Sequence, residues 1–244
     1  MERKEFSSHV SERYNNSLEE LFNQVLGMGG LVEKQLSSTH EAIMVENKPL
    51  AKEVQQLDKL VNKEEIEIDS LCAKVLATQQ PTARDLRLVV SAIRIAVDLE
   101  RAGDETVNVA KLAIMMSKMT EIPTNTLAGF EQLNKMIIIC QDMLNKTLKG
   151  FSELSTEYCL EVPDNKIHVD ELAKEAQKAV NLTLKNSEDA TVDCEMQMLY
   201  SIRSVERIAA HLVNITESIV YLIHGRNVSH MNSKRLAEFL QDKH

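Results

Sequence analysis

The sequence predicts an all-α protein made of two tandem three-helix repeats that pack side by side, followed by a short C-terminal helix. Three observations predict this class. Turn-forming residues are scarce, since the 244 residues include only seven glycines and four prolines. Apolar residues between those breaks recur at helical spacing. One residue pattern also occurs twice, 106 positions apart, which indicates a duplicated unit.

Prolines and glycines divide the chain into six helical stretches. The breaks lie at Pro49, Pro81, Pro123 and Pro163, with Gly150 and Gly225 near two further ends. The predicted helices cover 8–45, 48–78, 81–118, 124–154, 162–187 and 191–225. Short connections make consecutive helices antiparallel neighbours. We therefore expect a first repeat at 1–120, a second at 121–227 and a tail at 228–244.

The third stretch shows the helical period best. Its apolar positions are spaced by three, four and seven residues, which places them on one stripe. They are Leu88, Ile95, Leu99, Ala102, Val109 and Leu112. A helix of about 35 residues is roughly 50 Å long, which suits an elongated bundle.

Two shorter segments have their own interpretation. The segment 234–242 has the spacing of a short amphipathic helix through Leu236, Phe239 and Leu240. It could dock on a partner, but covering one end of the bundle is favoured. The segment Gly27–Gly30 lies within a helical stretch and lacks the strand and the Gly-Lys-Ser/Thr ending of a phosphate loop. Close packing between helices is its expected use.

The two copies of the repeated pattern differ in one acid. Six residues of the first copy recur as like or identical residues in the second, with Val61 and Ile167 as a further apolar pair. The recurring residues are Asp58, Glu65, Glu100, Arg101, Val107 and Asn108, matched by Asp164, Glu171, Glu206, Arg207, Val213 and Asn214. Asp104, however, is matched by Ala210, and Gly103 by Ala209. The repeats are expected to share a fold but not an equal chemistry.

Composition excludes several classes of function. A net charge of −9 opposes binding to nucleic acid, which relies on clustered Lys and Arg. The four cysteines form no CxxC pair, and the N-terminus has no apolar core of a signal peptide, which favours a cytoplasmic protein. No apolar run approaches the roughly 20 residues that cross a bilayer, so membrane association is expected only through partners.

Oxygen-bearing side chains line two neighbouring helices of the first repeat. Glu100, Asp104 and Asn108 follow one another at intervals of four in the third helix. Asp58, Asn62 and Glu65 form a similar stripe in the second. If the stripes meet, each uncompensated carboxylate pair costs on the order of 3 to 4 kcal/mol at an effective dielectric near 20. A bound cation would offset that repulsion most completely.

The ligand types indicate which ions such a site would take. Carboxylates and amide oxygens suit a divalent or trivalent metal ion, with Mg, Mn, Ca, Fe or Zn as candidates. The sequence has no Cys or His cluster of the kind that builds a structural zinc site. The alternative is that these acids form a solvated helix face paired with nearby Lys and Arg.

A corresponding metal site in the second repeat would be weaker. Its candidate ligands are Asp164, His168, Glu171 and Glu206, and Ala210 removes the acid that would complete the set. His211 lies one position further along and is a conceivable substitute ligand. If metal binds, the first repeat is expected to carry most of it.

Enzymatic functions have little support. The sequence contains no recognisable Ser-His-Asp or Cys-His motif. A di-iron carboxylate enzyme would also use a helical bundle, but it supplies Glu-x-x-His from two helices, and that motif does not occur here. A metal-free helical scaffold is the remaining alternative to a metal-binding protein.

Several segments resemble the signatures of the PhoU family. In the first repeat they are Gln80–Leu88, Asp98–Asp104 and Asn108–Ala110, and in the second Arg203–Ile208, Asn214–Ile215, Tyr221 and Gly225. Gly27–Glu33 is also similar, so the resemblance covers nearly the whole chain. It implies two three-helix repeats and a cytoplasmic, non-enzymatic regulator of phosphate signalling and uptake.

The resemblance also implies partners and ligands. Members of that family couple the ATPase subunit of a phosphate ABC transporter to a sensor histidine kinase and repress phosphate-starvation genes at high phosphate. A homodimer is expected. The family's Glu/Asp-x-x-x-Asp motifs bind metal, and by position they correspond to Asp58 with Asn62 and to Glu100 with Asp104 in the first repeat. In the second repeat they correspond to Asp164 and Glu206.

Overall fold

The computed structural model describes residues 12–118, 123–185, 189–229, 231 and 233–241. Within them the chain forms seven α-helices and no strand. The helices are α1 (Glu12–Met44), α2 (Lys48–Gln79), α3 (Ala83–Met116), α4 (Phe130–Glu153), α5 (Val162–Leu184), α6 (Asp189–His224) and α7 (Ser233–Gln241). Short 3-10 turns lie at Thr124–Thr126 and Glu157–Cys159. The predicted tandem helical bundle with a short C-terminal helix is confirmed.

The connections in the first repeat are tight, as the prolines predict. Asn47 caps α2, its Oδ1 accepting a hydrogen bond of 3.0 Å from the Leu50 backbone N–H, and Pro49 lies in the first turn. Gln80 ends α2 with a φ of 48°, in the left-handed region. These connections leave too little chain to reach the far end of a helix, so α1, α2 and α3 run antiparallel in turn.

The predicted start of the fourth helix was wrong by several residues. Instead of continuing from 124, the chain makes a 3-10 turn at Thr124–Thr126, and α4 begins at Phe130. Gly129 has a φ of +79°, which an α-helix does not accommodate. A side chain here would also meet the Cβ of Ala176 at 3.2 Å. The expected start of the first helix at 8 lies outside the described residues, as does the end of the fifth at 187.

The two three-helix groups meet mainly along α3 and α6, which run antiparallel. The Arg87 Nε donates to the Leu222 carbonyl at 3.0 Å, near the start of α3 and the end of α6. At the other end, the Gln197 Nε2 donates to the Asn108 carbonyl at 3.3 Å. The helices therefore lie side by side along most of their length.

A second contact joins α1 to α4. The rings of Phe22 and Phe151 stack with centroids 4.5 Å apart, and a side chain added at Gly29 would collide with Leu148. Close helix packing, the expected use of the Gly27–Gly30 segment, is confirmed for Gly29. Gly27 and Gly30 have open space around their Cβ positions.

The last helix covers one end of the bundle. Its Leu236, Phe239 and Leu240 are buried. The ring of Phe239 packs edge-on against His224, with centroids 5.7 Å apart, and the Arg226 guanidinium lies 4.9 Å from the same ring. The expected covering role of this segment is confirmed.

The two copies do not share one sequence offset. Buried positions of α5 match those of α2 at an offset of 108, whereas α6 matches α3 at 106. The buried residues Val54, Val61, Ile68 and Cys72 of α2 correspond in this way to Val162, Val169, Ala176 and Val180 of α5. The expected pairing of Val61 with Ile167 is wrong, because Val61 is fully buried and Ile167 is 53% exposed. Between Val180 and Glu206 the second copy has two residues fewer than the first copy has between Cys72 and Glu100.

None of the helices within the described ranges is both long and apolar enough to span a membrane.

Candidate metal-binding face of the first repeat

The acids of α2 and α3 come close enough for their charges to affect the pKa of Asp58 and of Glu100. The pKa of Glu100 is raised by burial and then by Asp104, Glu65 and Asp58, against a lowering by Arg101. The pKa of Asp58 is raised by burial and by Asp104, against a lowering by a hydrogen bond. Four predicted ligands therefore share one acidic face. We refer to Asp58, Glu65, Glu100 and Asp104 as the acidic face.

Two buried amide oxygens border this face without a hydrogen-bond partner. They are Asn62 Oδ1 on α2 and Gln35 Oε1 on α1. Gln35 is fully buried, and its Nε2 donates to the Asp58 Oδ1 at 3.1 Å and to the Val54 carbonyl at 3.4 Å. Burying such an oxygen without a partner costs about 1–3 kcal/mol. Both oxygens are therefore poised to accept a donor or a cation.

Gly103 lets α3 approach these groups. A Cβ at this position would lie 3.0 Å from Gln35 Oε1 and 3.7 Å from Asp58 Oδ1. Gln35 was missed in the sequence analysis. A signal for it exists, since this amide lies on the buried stripe of α1, between Val32 and Leu36.

Asn108 does not join the acidic face. Its Nδ2 donates to the Glu105 Oε2 at 3.4 Å, and its Oδ1 accepts from the Lys111 Nζ at 2.7 Å. Its backbone carbonyl accepts from Gln197 of α6. Asn108 comes eight residues after Glu100, so its side chain points roughly 80° away from that of Glu100 around the helix axis. This rotation places Asn108 on the side of α3 that faces α6, not on the side that faces α2.

The acidic face does not offer enough carboxylate or imidazole groups, by themselves, to hold a metal ion. Within the described parts of the chain, no three His, Cys, Asp or Glu side chains are grouped so that they could hold a metal ion. The acidic face adds two amide oxygens to its carboxylates. These are all oxygen donors, the type that Mg and Mn prefer.

The candidate ligands of the second repeat are placed differently. Asp164, His168 and Glu171 are all exposed on the outer side of α5. Glu206 is half-buried on α6, one turn from Ala210. The structure therefore does not bring the α5 candidates to an inner face with Glu206, because α5 follows the offset of 108.

An ion pair takes the place of two first-repeat ligands. At an offset of 108, Lys166 corresponds to Asp58 and Asp170 to Asn62. The Lys166 ammonium bonds to the Asp170 carboxylate, with the two side chains 20% and 32% exposed. Lys166 also lowers the pKa of Cys140, as does a hydrogen bond involving the Ala209 backbone, although burial raises that pKa more. An ammonium group therefore lies on the face that carries acids in the first repeat.

His211 faces the other half of the molecule. Its Nδ1 lies 2.9 Å from the Asp98 Oδ1 of α3, and the Asn214 Nδ2 donates to the same oxygen at 3.0 Å. It joins α6 to α3 and does not substitute for the acid missing at Ala210.

The cysteines have the properties of core residues. All four are buried. Burial raises the pKa of Cys72, Cys140 and Cys159 to about 12, so these thiols carry no thiolate at neutral pH.

Comparison with known proteins identifies the family. Residues 25–113 and 133–219 each match the PhoU domain. These matches begin 108 positions apart and end 106 apart, in agreement with the change of offset between α5 and α6. The chain is 31% identical to a phosphate-specific transport system accessory protein PhoU homolog of Pseudomonas putida, over 98% of this chain and 91% of that protein. It is 30% identical to the PhoU accessory protein of Escherichia coli, over 100% and 98%.

Solved structures agree with this relation. The crystal structure of PhoU from Pseudomonas aeruginosa superposes with a TM-score of 0.81 and 32% identity, covering 87% of this chain and all of that one. The phosphate transport system regulatory protein PhoU from Streptococcus pneumoniae superposes with a TM-score of 0.76 and 30% identity, over 87% and 97%. With both repeats matched and full-length relatives at this identity, the chain belongs to the PhoU family.

Proposed function

We propose that this protein is a non-enzymatic accessory regulator of phosphate transport. It links the ATPase subunit of a phosphate ABC transporter to a sensor histidine kinase and represses phosphate-starvation genes when phosphate is plentiful. The observation that carries the proposal is the match of both repeats to the PhoU domain, together with full-length similarity to accessory proteins of phosphate transport. The protein acts in the cytoplasm, as a homodimer, and reaches the membrane through its partners.

The acidic face is the proposed metal site. Asp58, Glu65, Glu100 and Asp104 would hold the ion, with Gln35 and Asn62 as neutral donors. Support comes from the two unpartnered amide oxygens and from the raised pKa of Asp58 and Glu100. When bound, the metal would supply positive charge that neutralises the carboxylates. Gln35 would then remain in place to orient Asp58 through its Nε2.

The adaptor role is tested by binding to purified partners. The chain is immobilised, and the phosphate-transporter ATPase and the sensor kinase of its own organism are passed over it separately, with and without Mn²⁺. Specific binding to both is the expected result. Binding to neither, with the chain folded by circular dichroism, would refute the adaptor role.

Metal binding is tested by thermal unfolding after removal of metal with EDTA. Re-addition of Mn²⁺ or Mg²⁺ is expected to raise Tm, because a ligand that binds only the folded state stabilises it by about 2.7 kcal/mol at 100 times its Kd. Glu100→Ala combined with Asp104→Ala should abolish the rise. Glu206→Ala, at the corresponding position of the second repeat, is the matched control and should retain it. An equal rise in the double variant would exclude the acidic face as the site.

A further inference from the structure

The helices α3 and α6 are related by an approximate twofold axis. They run antiparallel and correspond at an offset of 106, so a contact on one side of the axis has a counterpart on the other. Asp98 contacts His211 on one side. On the other side, Ser204 corresponds to Asp98, and Glu105 corresponds to His211. Ser204 forms a hydrogen bond with Glu105 there. Two equivalent grooves therefore flank the axis.

One of these grooves is basic. It has a volume of ≈ 300 Å³ and is lined by the cations Lys111, Arg203 and Arg207 and by the polar side chains of Gln197, Tyr200 and Ser204. Asn108 also lines it, and its Oδ1 accepts a hydrogen bond from the Lys111 Nζ. We call this the basic groove. Its charge is opposite to that of the whole chain, which carries −9.

Only one of the three cations is neutralised. The Arg207 NH1 donates to the Glu105 Oε1 at 2.8 Å, and this bond lowers the pKa of Glu105 against the effect of burial. In the part of the chain that the structure describes, no carboxylate forms an ion pair with Arg203 or Lys111. The groove therefore keeps two unpaired cations and a third, Arg207, whose side chain is 65% exposed.

The equivalent groove shows that this charge is not a consequence of the fold. It is lined by Asp98 and Glu217, with Arg94 as its cation. At an offset of 106, Asp98 corresponds to Ser204 and Glu217 to Lys111. The same backbone arrangement thus carries acids on one side of the axis and cations on the other.

We propose that the basic groove binds a small phosphate-bearing anion, either inorganic phosphate or a small phosphate monoester. A guanidinium presents paired N–H donors that match phosphate oxygens, and Lys111 adds a point charge. The volume lies at the lower end of small-molecule sites, so one phosphate group fits with room for a small organic substituent. This site goes beyond the adaptor role and uses none of the residues of the acidic face.

The test is calorimetric titration of the full chain with inorganic phosphate and, separately, with glycerol phosphate. Metal is first removed with EDTA, so that phosphate cannot enter through a metal ion, and the EDTA is then dialysed away, because this polyanion would compete for a basic groove. The wild-type chain is expected to bind one of the two anions in the micromolar to millimolar range. Arg203→Gln and Lys111→Gln should each weaken binding about tenfold, the effect of losing one charge-assisted hydrogen bond. Arg94→Gln removes the same charge from the equivalent groove and should leave binding unchanged.

Side-chain NMR locates the site independently of affinity. The Nε–Hε resonances of Arg203 and Arg207 should shift on addition of the anion, and that of Arg94 should not. Equal weakening by Arg94→Gln, or the lack of heat and of shifts at 10 mM anion, roughly the top of the range expected for a weak site, would overturn the proposal. Shifts produced by an acidic peptide but not by either phosphate compound would overturn it as well and would identify a protein-docking surface.

Discussion

The inner faces of the two repeats carry different charges at corresponding positions. In the first repeat, α2 and α3 bring Asp58, Glu100 and Asp104 together. Burial, and then repulsion by the neighbouring acids, raises the pKa of Asp58 and Glu100. In the second, Lys166 stands at the position of Asp58 and pairs with Asp170. The second repeat therefore carries its own cation on this face. In the first repeat the exposed Arg101 pairs with Glu100 at 3.7 Å, and among the described residues no cation pairs with Asp58 or Asp104, so the face stays open to a cation from solution.

Smaller residues change together with these charges. Gly103 allows Gln35 and Asp58 to approach α3 in the first repeat. Ala209 takes its place in the second, where Ala210 also replaces Asp104. The two helix faces have therefore kept the same packing but carry different charges. The apolar contacts hold the helices together, so the polar residues beside them can differ between the copies.

Rebuilding the acidic face in the second repeat should transfer the metal response. In a chain that already carries E100A and D104A, addition of K166D and A210D supplies acids at the positions of Asp58 and Asp104. We expect Mn²⁺ to raise Tm again, by an amount that corresponds to about 2.7 kcal/mol at 100 times the Kd. The measurement is thermal unfolding with and without metal.

The control for this transfer is A210D without K166D. It should not restore the response, because the Lys166 ammonium would remain where the cation must bind. A metal response in this control, or none in the full variant when circular dichroism shows it folded, would contradict the comparison between the two faces.

Removing Lys166 should cost the second repeat stability. Lys166→Ala leaves the Asp170 carboxylate, 32% exposed, without its ammonium partner. We expect a loss of about 2 kcal/mol in the free energy of unfolding, the range for a partly buried charge that loses its partner. Urea unfolding followed by circular dichroism measures it.

Lys63→Ala is the matched control for that loss. Lys63 and Glu67 form an ion pair with the same spacing of four residues, at 3.0 Å, but their side chains are 67% and 44% exposed. Water and salt screen such a pair, so the unfolding midpoint should scarcely move. Equal losses in the two variants would show that burial of the Lys166 pair has no energetic effect.

Neutralising one acid of the first repeat should stabilise the metal-free protein. Glu100→Gln removes the charge that Asp104, Glu65 and Asp58 repel. We expect a gain of about 1 kcal/mol at pH 7, the size of one screened repulsion between neighbouring charges. Glu206→Gln in the second repeat should give no comparable gain, since Ala210 provides no such neighbour.

The gain from Glu100→Gln should depend on pH. Because the pKa of Glu100 is raised in the folded state, the folded chain holds this proton to a higher pH than the unfolded chain does. The destabilising charge is present above the folded pKa and absent below the unfolded pKa, which lies at about 4.3. The difference between variant and wild type should therefore shrink as pH falls from 7 to about 4, and a constant difference would assign the gain to packing.

Much of the fold followed from local sequence. The apolar stripe of α3 and the prolines at 49 and 81 predict helices that the structure places within a few residues. The predicted fourth helix began too early, because the positive φ of Gly129 cannot be inferred from the residue type alone. Of the first-repeat candidates, the acids of α2 and α3 could be predicted to meet, since both stripes lie on neighbouring helices.

The sequence by itself determined the helices, the duplication and the acids of the first repeat, because these depend on the spacing of residues along one chain. Tertiary structure alone decided which face of α5 turns inward, so that Lys166 and not Asp164 occupies the inner face. It also decided that Gln35 joins Asp58 and that Asn108 turns towards α6. The physical reason is that packing against neighbouring helices sets the rotation of each helix about its axis. The second copy also has two residues fewer between Val180 and Glu206 than the first has between Cys72 and Glu100, which changes the positions that correspond.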